Sequence, residues 1–417
     1  MSIFRSAGLM IPRQEFLSNW AVIACDQFTS QPEYWEAVRT QVGTQPSSYH
    51  LIFPEAELGA SDPQARIEAI HHAMEETRRS GWLQTFEDAF IYVERTLLNG
   101  SVRRGIVGVI DLEAYDFMPG STSAVRATEK TVLERIPPRV RIRKNASLEL
   151  SHVLLLADDD ENRLIEPLTD KKGAMTCLYD FDLMAGGGHI AGYLLDAETR
   201  QSLRDALTAY EAGLRKGYAA LEIPPVLYAV GDGNHSLAAA KQCWTDLKAA
   251  HPELAGSSHP ARYAMVELEN IHDPVQQFKP IHRVVSQTDP KALLAFLGQY
   301  HRGSEAAGYP IRCCSADGEE TLYLDRDLSA LAIGALQPLL DRWLSDHPGT
   351  LDYIHGDETA LALGRRPGCI ALMLPAVDKA DFFQAIALDG VMPRKTFSMG
   401  HAREKRYYLE ARQIVKS

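Results

Sequence analysis

The stretch YAVGDGNHSLAAAK, Tyr228 to Lys241, constrains this chain more than any other. A short apolar run breaks at Gly-Asp-Gly, and an alanine-rich segment follows with no linker. That order reads as a buried strand, a turn and a helix. It turns helix-start N–H groups toward the strand end, where an anion can sit. Gly231 and Gly233 permit positive φ and close approach of a ligand. Asn234 or Ser236 can cap the helix. Asp232 can meet a metal, a ribose hydroxyl or an ammonium, and His235 can donate to a phosphate or move a proton. A plain capped turn with a solvated histidine is the alternative. The crowding of Asp, Asn, His and Ser at one strand end favours function. A P-loop is excluded, because the spacing and the lysine of GxxxxGK[ST] are missing. Gly-Asp and Gly-Asn-His are also words of two-metal phosphoesterases, but the further ligand clusters such enzymes need are absent.

A chain of 417 residues accommodates two domains. The pattern changes near Asp289, which predicts an N-terminal and central α/β region over 1–288 and a C-terminal α+β domain over 289–417. Hydrophobic residues make up 45% and charged residues 24%, the profile of a globular protein. The formal net charge of −12 argues against general nucleic-acid binding, which needs clustered Lys and Arg. None of the six cysteines forms a CxxC pair, so a zinc ribbon is not expected, and scattered thiols fit a reducing cytoplasm. No run reaches the ~18 apolar residues of a membrane span.

Local signals place further elements. Asp62 to Gly81 has helical spacing and ends on glycine. Phe90 to Leu112 reads as two strands around Asn99-Gly100, with Glu94 and Arg95 as a surface pair. The segment Val125–Ser147 concentrates Arg126, Lys130, Arg135, Arg139, Arg141, Arg143 and Lys144 in an otherwise acidic chain. Asp26 follows a strand and can bind a substrate amine; Cys25 beside it has no visible base and reads as a buried thiol. Gly186-Gly187-Gly188-His189 can shape a ligand loop or form a plain turn. His282-Arg283 can meet an anion or form a structural strand pair.

Several of these segments occur together and in order in one known family. VRATEKTVLERIPPRVRIR (Val125–Arg143), the GDGNHS turn, AMVELENIHDPVQQFKPIHRVV (Ala264–Val285) and VMPRKTFSM (Val391–Met399) resemble the family catalogued as domain of unknown function 1015. ACDQFTSQPEYW (Ala24–Trp35) resembles one of its subgroups, and the likeness runs from about residue 10 to the C-terminus. The family's Asp-Gly-His-His-Arg motif is similar to the phosphate-binding turn of the ParB/sulfiredoxin-like fold, and one described branch phosphorylates free serine from a nucleotide. By position, Asp232 and Gly233 match Asp-Gly, Asn234 replaces the first His, His235 matches the second, and Ser236 replaces the Arg. Thr128-Glu129-Lys130-Thr131 resembles His-Glu-x-Thr with Thr128 in place of His, and Arg394-Lys395 resembles the Met-Pro-x-Lys segment. Losing an Arg removes a permanent, bidentate phosphate clamp.

The resemblance implies a mixed α/β chain with a ParB/sulfiredoxin-like nucleotide-binding core and an ATP- or ADP-dependent kinase acting on a hydroxyl metabolite such as serine. The expected catalytic residues are Glu129, Asp232 and His235, with Asp232 near Mg²⁺. Phosphate contacts are expected from Gly231, Gly233, Asn234, Ser236, Arg141, Arg143, Lys144, His282, Arg283 and Lys395. Substrate contacts are expected from Asp26, Gly188 and His189. A nucleotide- or metabolite-sensing regulator is the rival reading, and a ParB-like DNA-binding protein ranks last. A homodimer is compatible with the sequence, which does not fix the oligomeric state.

Overall fold

The computed structural model describes residues 2–57, 62–129, 136–393 and 395–415. The chain divides into two compact units. The first comprises Met1–Ala127, Thr131–Gln276 and His401–Ser417, and the second Thr128–Lys130 and Gln277–Gly400. The position expected as a boundary, Asp289, falls inside the second unit, as the N-cap of the helix Pro290–Gly298. The last residues return to the first unit because their strands find partners there. Ala411–Gln413 pairs with Ala7–Pro12 and Leu148–Leu150, and Tyr407–Tyr408 pairs with Val22–Ile23. Long-range pairing of this kind leaves no local sequence mark.

The first unit is built on a mixed sheet of ten strands among the described residues. Its order runs Thr176–Asp182, His189–Leu194, Ile91–Thr96, Val102–Asp111, Tyr263–Asn270, Leu154–Ala157, Tyr228–Asp232, Val125–Ala127 and Tyr115–Asp116, with Phe4–Arg5 beside Val102–Asp111. Tyr228–Asp232 runs parallel to Val125–Ala127 and antiparallel to Leu154–Ala157. The helix Asn234–Ala250 leaves its end and packs against the basic helix Ile136–Lys144. The expected mixed α/β class is therefore present. The helix Pro63–Ser80 is capped by Asp62, which accepts from Ala65 N, and ends on Gly81 in the left-handed region. No helix among the described residues is long and apolar enough to cross a membrane.

Glu94 and Arg95 do not form the expected surface pair. They are consecutive in a strand and so point to opposite faces. Glu94 meets Lys172 at 2.7 Å, whereas Arg95 is 1% exposed, with its guanidinium 4.8 Å from the Tyr407 ring centroid. Arg95 belongs to a buried ionic cluster beneath the sheet. Arg103 meets Glu269 at 2.9 Å, Arg406 meets Glu267 at 2.6 Å, and Arg406 also holds Glu410. Gly105 makes room for this cluster, since a Cβ there would lie 2.5 Å from the Glu267 carboxylate.

In the second unit the sheet order is Gly318–Asp325, Gly308–Ser315, Cys369–Met373, Phe278–Ser286 and Thr350–His355, and Phe397–Met399 pairs with the start of Phe278–Ser286. Its helices include Ala332–Asp346, whose inner face buries Leu336, Leu340 and Trp343.

Candidate functional site

The strand Tyr228–Asp232 extends into the motif, so Gly231 is extended rather than left-handed. The turn is made at Gly233, with φ 83° and ψ 23°, a conformation glycine adopts without strain. Its missing Cβ also clears Val153, whose atoms would be 3.0 Å away. Gly233 is the N-cap of the helix, so neither Asn234 nor Ser236 caps it as expected. The first N–H groups of a helix have no partner within it. Here no N-cap side chain covers them, and the positive end of the helix dipole opens at the strand end. The Asn234 Oδ1 atom is buried and makes no hydrogen bond. Turned over, the same amide would offer N–H donors there.

Charge reaches the turn from remote segments. Lys405 Nζ lies 3.2 Å from Asp232 Oδ2, and Asp232 Oδ1 accepts from the Gly233 N–H at 2.9 Å. Both partners of the ion pair are largely buried. Lys405 also acts on Asp26. Burial works against the Asp26 charge, but His152, the Gln27 amide, Arg139 and Lys405 outweigh it and hold the carboxyl below its ordinary range.

His152, 3% exposed, sits between two hydroxyls. Its Nδ1 is 2.7 Å from Tyr408 Oη and its Nε2 is 3.5 Å from Ser236 Oγ. Tyr408 Oη donates to Cys25 Sγ at 3.1 Å and accepts from the Cys25 N–H at 3.4 Å. Burial, with Asp26 beside it, pushes the Cys25 thiol up to about 11, so it is an inert thiol rather than a nucleophile.

Asp26, Asp232, Asn234 and Ser236 are thus brought together with Lys405, His152 and Tyr408, which sequence reasoning did not single out. His152 stands just before a strand candidate, and Lys405 and Tyr408 lie near the C-terminus; no local spacing marks them. His235 is half-buried in the first turn of the helix.

The basic segment folds against the motif's helix, and two of its charges are already paired. Arg139 pairs with Glu55, and Arg143 meets Glu149 at 2.6 Å. Arg141 and Lys144 are exposed. Lys405 is the cation that pairs with Asp232.

Gly188 and His189 do not reach this turn. His189 begins a strand five positions across the sheet from Tyr228–Asp232, about 24 Å away at the usual strand spacing. Its ring bridges Asp182 at 2.8 Å and Asp180 at 2.6 Å. The glycines form a tight corner, in which a Cβ on Gly187 would meet Tyr407 and one on Gly188 would meet the Thr96 carbonyl.

The second unit holds the other candidates. His282, 2% exposed, accepts from Leu374 N at 3.1 Å and meets Asp357 at 3.0 Å. Arg283 is fully buried and donates to Gln337 and to the carbonyls of Ile281 and Lys395, with Tyr353 under its guanidinium. Burial lowers its pKa to about 10, against the opposing pull of Tyr353 and Glu129. A guanidinium so engaged is a structural pin, not an anion clamp. Glu129 forms a parallel bridge with Met392, and Lys395 is exposed. Lys130, Thr131, Arg135 and Arg394 lie outside the described residues.

The family model described as "Protein of unknown function (DUF1015)" matches residues 4–413. The chain belongs to this family. No curated protein matches it. Among solved structures it is similar to SbnI with C-terminal truncation from Staphylococcus aureus, at 12% identity over 72% of this chain and 85% of that one, TM-score 0.35. A conserved hypothetical protein from Pyrococcus furiosus matches at 10% identity over 72% and 90%, TM-score 0.33. A free serine kinase in complex with AMP matches at 10% identity over 74% and 90%, TM-score 0.35.

Proposed function

We propose that this DUF1015 member binds a nucleotide phosphate on the turn Gly231–Ser236 and transfers a phosphoryl group to a small hydroxyl metabolite such as serine. The observation that carries the reading is the helix Asn234–Ala250, which starts on left-handed Gly233 without a side-chain cap, beside Lys405. Donors and positive potential converge there, as phosphate recognition requires. In phosphoryl transfer most of the rate comes from positioning and charge neutralisation, which such a turn supplies.

Among the described residues no group of three or more His, Cys, Asp or Glu could hold a metal. Mg²⁺ ordinarily takes one or two carboxylates and completes its shell with water and substrate phosphates. Asp232 fits as the protein's single carboxylate, and the ion would neutralise phosphate charge. The base role of Glu129 comes from the family resemblance.

Calorimetry with ATP, ADP and AMP, followed by incubation with Mg²⁺ and a panel of hydroxy-amino acids, tests the reading. Nucleotide binding with product formation is expected. Binding without product favours a nucleotide-sensing regulator, a reading that Ser236 in place of the family's Arg supports. No binding by any nucleotide ends both.

A further inference from the structure

The geometry points to Ser236 as a nucleophile, with His152 as its general base and a short-chain acyl ester as the substrate class. The Tyr408 hydroxyl has one hydrogen, and it goes to Cys25 Sγ. With that hydrogen on Cys25 Sγ, the Tyr408 oxygen 2.7 Å from Nδ1 is free to accept, which is compatible with the Nδ1–H tautomer. That leaves a lone pair on Nε2, the atom 3.5 Å from Ser236 Oγ. Nucleophile–base pairs are often this loose before a ligand tightens them. The result is a serine, a base and an orienting group, recognised by roles rather than by chain order.

The acyl class follows from the cavity that Ser236 lines. It has a volume of about 120 Å³, and its walls include Leu51, Phe53, Met74, Ile142 and Ala239. Its charged residues sit in ion pairs, Arg139 with Glu55 and Arg143 with Glu149. An apolar cavity of about 150 Å³ takes benzene, so this one suits an acyl chain of about four or five carbons.

Ser236 Oγ attacks the ester carbonyl as its proton passes to Nε2, which gives a tetrahedral intermediate. The ester C–O bond breaks, and the alcohol leaves with the proton from Nε2. Water, deprotonated by Nε2, then releases the carboxylic acid and restores Ser236. This goes beyond the phosphoryl-transfer reading and does not depend on it.

The folded protein should be treated with a fluorophosphonate and mapped by mass spectrometry, alongside hydrolysis of 4-nitrophenyl butyrate and decanoate. The expected result is one label, on Ser236, lost in Ser236→Ala and His152→Ala variants whose unfolding midpoints match the parent. Butyrate should be hydrolysed and decanoate spared, and Ala239→Leu, which fills the cavity, should cut butyrate turnover about tenfold or more. No label, a label elsewhere, or butyrate turnover indifferent to Ala239→Leu overturns the inference. ADP calorimetry on the same samples separates this failure from failure of the nucleotide reading.

Discussion

Lys405 Nζ stands 3.2 Å from the Asp232 carboxylate, so a C-terminal lysine supplies the cation at a turn where the family's usual Arg is Ser236. Lys405→Met should weaken nucleotide binding about tenfold or more, since a hydrogen bond to a charged group is worth ~1.5–3 kcal/mol. Calorimetry with ADP measures this directly. An unchanged affinity would mean that Lys405 only neutralises Asp232.

Glu269 predicts a pH dependence of stability. Burial raises its carboxyl to about 7, Arg103 opposes the rise, and Glu267 adds to it. A carboxyl with a raised folded pKa binds its proton more tightly in the folded state than in the unfolded one. Its contribution is therefore present below the unfolded value of ~4.3 and is lost as pH rises through about 7. Urea denaturation of the parent against Glu269→Gln, from pH 4.5 to 8, should show the parent losing up to a few kcal/mol relative to the variant. Parallel curves would show that Glu269 stays ionised throughout.

Gly105→Ala should destabilise the first unit by ~1–3 kcal/mol, the cost of overpacking a filled interior. The new Cβ would fall 2.5 Å from Glu267 Oε1, within the buried Arg–Glu cluster. Gly173→Ala serves as control, because nothing lies within 4 Å of its Cβ position. A fluorescence-monitored urea titration compares the two.

Cys25 should resist alkylation in the folded protein. Its thiol is pushed up to about 11 and hydrogen-bonded by Tyr408, whereas Cys177 is exposed. Brief iodoacetamide treatment at pH 8 with peptide mapping should label Cys177 first and Cys25 far more slowly. Early labelling of Cys25 would contradict the buried, protonated thiol.

Local chemistry made much of the scaffold legible. Asp62 and Gly81 bracket the helix Pro63–Ser80, and Asn99-Gly100 sits between the strands Ile91–Thr96 and Val102–Asp111, because caps and turns are decided by residues next to each other. The same reading misjudged Arg95. Charge alone suggests a surface residue, whereas the Tyr407 face and the carbonyls of Gly187 and Arg403 receive its guanidinium in the interior. His282-Arg283 read equally as an anion site or a structural strand pair, and only the fold shows both side chains engaged by Asp357, Gln337 and main-chain carbonyls.

By itself the sequence determined the strand–turn–helix at Tyr228–Lys241 and the mixed α/β class, because backbone preferences and apolar periodicity act over a few residues. Tertiary structure alone decided what surrounds that turn. Asp26, His152 and the pair Lys405 and Tyr408 come from three separate segments, and the pairing of Tyr407–Tyr408 with Val22–Ile23 helps bring two of these segments together. The physical reason is that strand pairing and burial join residues without regard to their spacing in the chain. Whether a charged or titratable side chain acts on a ligand or is already engaged depends on neighbours that only the fold supplies.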